Sequence, residues 1–330
     1  MNEPTTVPQS PLAFAISDFL SHHRALGKRF DTEEAALRLL DRYLVEQGVE
    51  TMQTITPSLL EAFVRSRPRT RPRSYNHLVN VLQRLFLWLD RQEILTPSPC
   101  HLQPRRTPSQ CSPFLFEPDQ VRCLLALAEQ LPDGRNTHRR GATYRLIFAL
   151  MYALGLRVSE VARLCRKDVD QQRRCLIIRQ SKFAKSRLLP FGPKVGQALD
   201  DYLQQPAPGI EHTAEDPLFS LSKNQHQPIY SKTISRTFQH LMTQLGPSIP
   251  PGIAPPRLHC LRHSFAVATL LRWYRSGVAP AARLNYLSTF LGHVNPASTT
   301  VYLTITAQLL DQANERYEHF AAPSVQRSEQ

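Results

Sequence analysis

Apolar residues recur every three to four positions along most of the chain, which predicts a largely helical protein. Between residues 12 and 95 the faces are marked by Leu37, Leu40 and Leu44, and again by Leu78, Leu82, Leu85 and Leu89. Asp31 followed by Glu34 predicts a capping box at one helix start. Thr56 before Pro57 predicts an N-cap with proline at the first helical position. Several short helices are therefore expected. Between them the stretch SRPRTRPRSYN spaces Arg65, Arg67, Arg69, Arg71 and Arg73 among Pro and Thr, which predicts a cationic loop. Two readings of that loop stand: a solvated turn, or a contact with DNA phosphates.

Residues 96–113, TPSPCHLQPRRTPSQCSP, break the periodicity and read as an interdomain linker. A second domain should open near Phe114 with a helix over 118–131, then ATYRLIFALMYAL closed by Gly155 as its C-cap, then a short helix at SEVARLC. Two β-prone runs, Cys175 to Arg179 and Arg187 to Phe191, predict a hairpin with Lys182 in its turn. Further helices are expected over 193–205, 231–245, 258–276, 283–292 and 298–320, with loops at 206–216 and 246–256. The fold class is thus mainly α with a small β-hairpin or sheet, in two domains.

A length of 330 residues suits two domains, and 42% hydrophobic with 20% charged residues is ordinary globular usage. No apolar run approaches the ~18 residues of a membrane span, and MNEPTTVPQSPLAF lacks the pattern of a secretory signal, so a cytoplasmic, nucleoid-associated location with no membrane partner is expected. Six cysteines without a CxxC pair argue against a zinc cage or a disulfide framework and predict buried reduced thiols. The formal charge of +13 favours a polyanionic partner, nucleic acid first, although solubility and anionic membranes also select positive surfaces.

Four segments then occur in order: ALGLRVSEVARL, SKFAKSRLLPF, LHCLRHSF and LGHVNPASTTVYL. Together they resemble the tyrosine recombinase, or phage integrase, family of site-specific DNA recombinases. The resemblance spans about residues 114–320 and fills each family slot, with Arg157, Lys182, His259 and Arg262, His293 and Tyr302. It implies an integrase-type catalytic domain at 114–320 behind a helical, SAM-like core-binding domain at 12–95, the latter matching in size, helicity and charge only. Of ten tyrosines, Tyr302 stands at the family's separation from LGH, and Tyr317 lies beyond it.

The family chemistry needs these residue types. Displacing a DNA oxygen from a phosphodiester requires a nucleophile (Tyr302), charge for a pentavalent phosphorane (Arg157, Arg262) and a proton for the departing 5′ oxygen (Lys182, with Lys185 the nearest wrong choice). Guanidinium forks match phosphate oxygens as a lysine cannot. His259 and His293 would donate to the phosphate, His259 also assisting the Tyr302 proton, with Glu160 and His263 as supports. Singly, Arg157 could merely start a helix, Lys182 be a hairpin tip and Tyr302 be core. It is their joint order that carries the reading. A phosphotyrosyl bond conserves the phosphodiester's energy, so neither metal nor another cofactor is expected, and the sequence shows no Walker loop or acidic metal cluster.

The implied partner is double-stranded DNA, with a monomer or dimer off DNA and a homo-tetramer on paired sites. Two alternatives share parts of the pattern, a type IB-like topoisomerase and a DNA-binding regulator without catalysis. The short stretch before the first helical pattern argues against an extra arm-binding domain. Past Tyr302, the face made by Leu309, Leu310, Ala313, Tyr317 and Phe320 either folds back on its own domain or docks on a neighbouring protomer.

Overall fold

The computed structural model describes residues 10–107, 111–179, 186–205, 211–222, 226–293, 295 and 297–304, and the chain divides into two compact units, 1–110 and 111–330. The first unit is helical: α1 (Ala13–Ala25), α2 (Asp31–Glu46), α3 (Pro57–Ser66) and α4 (Pro72–Arg91). In α4, Leu78, Val79, Val81, Leu82, Leu85, Phe86 and Leu89 are buried, and the matching faces of the other helices close over them with Phe19, Leu37, Leu40, Leu44, Leu60 and Phe63. Helices of this length are marginal alone, so this shared apolar face is what holds them.

The start of α3 follows the local code, the Thr56 hydroxyl accepting from the Leu59 N–H at 3.3 Å with Pro57 at the first helical position. The start of α2 does not. Asp31 is already helical, the preceding Phe30 sits at φ 59°, and Glu34 turns away to Arg24 and Arg38, so the expected capping box is absent. Tertiary packing decides this. The Phe30 ring is buried against Phe19 and His23, and Arg84 covers it at 4.7 Å, which offsets a left-handed backbone that a large side chain otherwise avoids.

Much of the Pro-rich stretch expected as linker lies along α4. Gln83 donates to the Leu102 carbonyl at 2.8 Å, Asn76 exchanges two hydrogen bonds with the Arg105 backbone, and Arg105 stacks 3.9 Å over the Tyr75 ring. These partners stand far away in sequence, so composition alone could not show them.

The second unit packs around α6 (Arg140–Leu154), buried along its length from Gly141 to Leu154. Around it lie α5 (Pro118–Glu129), α8 (Pro193–Leu203), α9 (Ser231–Leu245) and α10 (Cys260–Arg275), followed by α11 (Pro280–Leu291) and a single turn, α12 (Ala297–Thr300). The short α7 (Val158–Val161) follows Gly155. The hairpin is present as β2 (Cys175–Ile178) and β3 (Arg187–Pro190), antiparallel with Leu176 opposite Leu189. A two-residue strand, β1 (Val169–Asp170), adds to the β2 edge and was not predicted, being too short to show alternation.

Where the sequence predicts one helix over 298–320, the described part is α12 and then a 3-10 turn, Val301–Thr304, and the remainder, including the apolar face from Leu309 to Phe320, lies outside the described residues. All six cysteines are free, but only Cys175 and Cys260 are buried, and Cys111 and Cys123 are exposed, against the expectation of buried thiols. Cys123 stands on α5 outside the face that Val121, Leu124 and Ala128 bury. Among the described residues no helix is long and apolar enough to cross a membrane.

Candidate active site

Gly155 ends α6 at φ 61°, and a Cβ there would come within 2.6 Å of the Phe265 ring and 2.8 Å of Leu291. The close approach brings α6, α10 and α11 together, and two residues later Arg157 caps α7. Its backbone N–H donates to Glu160 Oε2 at 2.9 Å and its guanidinium to Glu160 Oε1 at 2.8 Å. Glu160 is buried, and Arg187 of β3 donates to both of its oxygens, at 2.9 and 3.0 Å.

Three arginines from three segments converge on the C-terminus of α11. Arg187 Nε donates to the Phe290 carbonyl at 2.9 Å, Arg262 to Leu291 at 2.6 Å and Arg157 to Gly292 at 2.8 Å. The last carbonyls of a helix lack intrahelical donors and carry its negative dipole end, so cations here are stabilising. Arg262 also donates to the Gly155 carbonyl at 2.5 Å, is 0% exposed, and its Nε has no hydrogen-bond partner among the described residues. Burial foremost, then the Arg157 charge, lowers it to about 10, so it stays protonated at neutral pH.

Tyr302 is 3% exposed, its ring packed with Ala266, Val267, Leu270, Leu287 and Leu291. Its hydroxyl lies 3.0 Å from His263 Nδ1. Burial raises its pKa, and the opposing Arg262 charge does not fully cancel this. His293 stacks near the same ring at a centroid distance of 6.3 Å, its Nδ1 2.7 Å from the buried Thr299 hydroxyl. The His259 ring stands perpendicular to that of His263 at 4.6 Å. The structure therefore sets His263 on the tyrosine hydroxyl, the place the sequence reading gives to His259.

All three histidines are held below the ordinary imidazole range. Burial is the largest cause, the Arg262 charge adds to each, and His263 and His293 reach about 4. Burial would raise Glu160, but the hydrogen bonds and charges of Arg187 and Arg157 outweigh it and hold the carboxyl at about 2. The unfolded chain then binds more protons than the folded one between about pH 6.5 and 4 through the histidines, and between about 4.5 and 2 through Glu160. Stability should fall as pH falls through both windows. Melting temperature followed against pH checks this, with Glu160→Gln expected to flatten the lower window only; a flat profile from pH 7 to 4 would contradict the burial of neutral imidazoles.

Lys182 and Lys185 lie outside the described residues. The strands flanking them are anchored, by Arg179 on Asp168 at 2.6 Å and by Arg187 on Glu160. Among the described residues no group of three or more His, Cys, Asp or Glu could hold a metal ion. In the first unit, Arg65 belongs to α3 and pairs with Glu61 at 3.5 Å, Arg71 and Arg73 are exposed at the start of α4, and Arg67 and Arg69 are partly buried, Arg69 donating to Ser74. The cationic loop is thus shorter than expected, with only two of the five arginines both exposed and at the α4 start.

Arg187 and Thr299 were not singled out from sequence. A signal for Arg187 existed: alternation puts it on the same face as the buried Leu189, and a buried arginine needs an acid. Thr299 offered none, since its value depends on where His293 falls.

Residues 115–308, more than half of the chain, match the family model described as the phage integrase family. Protein y4rB of Sinorhizobium fredii, provisionally named an integrase/recombinase, is 32% identical over 92% of this chain and 96% of its own length. Tyrosine recombinase XerC 2 of Ralstonia nicotianae is 25% identical over 88% and 82%. In fold, the Tn1549 transposon integrase, solved with a circular-intermediate DNA, superposes with a TM-score of 0.64 at 17% identity, covering 95% of this chain and 100% of that one. XerH, solved on a palindromic difH substrate, gives 0.61 at 17% identity, covering 87% and 79%. With a family model over most of the second unit and a relative matching nearly end to end, the chain belongs to the phage integrase family of tyrosine recombinases.

Proposed function

We propose that this protein is a site-specific recombinase that cuts and rejoins duplex DNA through a 3′-phosphotyrosyl intermediate on Tyr302. The observation that carries the reading is the gathering of Arg157, Arg262, His263 and His293 about one tyrosine, from segments far apart in the chain. Tyr302 Oη attacks the scissile phosphorus, the P–O5′ bond breaks, and the 5′ oxygen leaves as a hydroxyl with a proton from Lys182. A second 5′ hydroxyl reverses these steps on a new strand. His263, neutral at physiological pH and 3.0 Å from the hydroxyl, would take the Tyr302 proton as Oη bonds to phosphorus. Arg157 and Arg262, permanently charged, would share their remaining N–H groups with the non-bridging oxygens, and His259 and His293 would add hydrogen bonds.

Duplex DNA is the substrate this chemistry and the charge of +13 favour, with Arg71 and Arg73, and to a lesser degree Arg65, Arg67 and Arg69, as phosphate contacts of the 12–95 domain. Exchange between two sites cuts four strands, one nucleophile each, and so calls for four protomers. The use we infer is integration, excision or transposition of a mobile element, in line with the integrase/recombinase name of y4rB. The test is covalent capture. Full-length protein is incubated with a library of nicked duplexes randomised around the nick, then denatured; an adduct that survives detergent and disappears on proteolysis is expected, and its absence across the library overturns the function.

A further inference from the structure

Glu160 has four donors on two oxygens. Oε1 takes Arg157 Nη1 and Arg187 Nη1, and Oε2 takes the Arg157 backbone N–H and Arg187 Nη2. Its side chain is only 1% exposed and that of Arg187 10%, whereas Arg157 keeps 21% open. All three guanidinium nitrogens of Arg187 donate within the fold, Nε to the Phe290 carbonyl and both Nη to Glu160, whereas Arg157 keeps part of its fork open. The slot that holds it is built: Gly292 turns at φ 67°, and a Cβ there would stand 2.7 Å from Arg187 Nη1.

We propose that Arg187 is a positioning residue for Arg157, acting through Glu160. This rests on the reading of Arg157 as a phosphate clamp. A buried carboxylate demands a full complement of donors. With Arg187 present, half of that demand is met by its two Nη groups, Arg157 needs to spend one guanidinium nitrogen on it, and the trio carries a net positive charge toward the phosphate. Without Arg187, Glu160 draws the Arg157 fork onto both of its oxygens, and the pair becomes neutral. The cation is then withdrawn from the substrate even though Arg157 itself is intact.

The test is a double-mutant cycle on the duplex that wild-type protein captures from the randomised library. Arg157→Ala is expected to slow capture about a hundredfold, the scale for losing one preorganised donor. Arg187→Gln should slow it about tenfold or more with duplex affinity unchanged within about threefold, and Arg157→Ala/Arg187→Gln should be no slower than Arg157→Ala alone. Arg187→Lys, which keeps a cation but cannot fork across both oxygens, should fold, recover part of the rate and likewise add nothing to Arg157→Ala; it replaces Arg187→Gln in the cycle if that variant does not melt cooperatively. Rates that multiply in the double variant overturn the inference while leaving the recombinase reading intact. Wild-type capture by Arg157→Ala instead overturns the clamp on which the inference stands.

Discussion

Tyr302→Phe is expected to abolish the denaturant-stable DNA adduct while leaving the fold and duplex binding unchanged. The substitution removes one oxygen. The ring that packs against Ala266, Val267, Leu270, Leu287 and Leu291 remains, so the cluster joining α10 and α11 keeps its volume. What is lost is the 3.0 Å contact with His263 Nδ1, and losing one hydrogen bond to an imidazole that is only partly buried costs on the order of 1 kcal/mol. Stability and chemistry are therefore separable at this position. A phenyl ring cannot form a phosphoester, so capture should drop below detection rather than merely slow. An adduct formed by the variant, mapped by peptide sequencing of the captured strand, would move the nucleophile to another tyrosine, of which Tyr317 lies nearest in sequence beyond Tyr302.

How much of this was legible beforehand differs by residue for physical reasons. Leu78, Leu82, Leu85 and Leu89 declare α4 because burial on one helix face repeats with the helix itself, and Thr56 with Pro57 declares α3 because an N-cap is local chemistry. Asp31 misled because the same code was overruled by the buried ring of Phe30. At the site, residue types and order pointed to Arg157, Arg262, His293 and Tyr302, but not to their partners. The assignment of His263 rather than His259 to the tyrosine hydroxyl depends on how a 3-10 turn after α12 meets one face of α10. The convergence of Arg187, Arg262 and Arg157 on Phe290, Leu291 and Gly292 depends on four segments at once. Neither leaves a periodic or local trace.

Arg262→Ala is expected to slow covalent capture by about two orders of magnitude or more and, unlike Tyr302→Phe, to destabilise the fold as well. The guanidinium is fully buried and donates to the Gly155 carbonyl at 2.5 Å and the Leu291 carbonyl at 2.6 Å, joining the ends of α6 and α11. Removing it leaves both buried acceptors without a charged donor, a loss of about 1.5 to 3 kcal/mol for each. It also removes the larger of the two charges that offset the burial of the Tyr302 phenol, so that hydroxyl becomes harder to ionise in the same step. The two effects can be told apart by measuring capture at a temperature where far-ultraviolet circular dichroism shows the variant folded. Arg262→Lys supplies the second arm: it keeps a cation near Tyr302 but cannot reach both carbonyls, so capture should exceed that of Arg262→Ala while stability stays below wild type. Folded Arg262→Ala that captures DNA within tenfold of the wild-type rate would show that Arg262 only ties α6 to α11, leaving Arg157 as the site's phosphate-binding arginine.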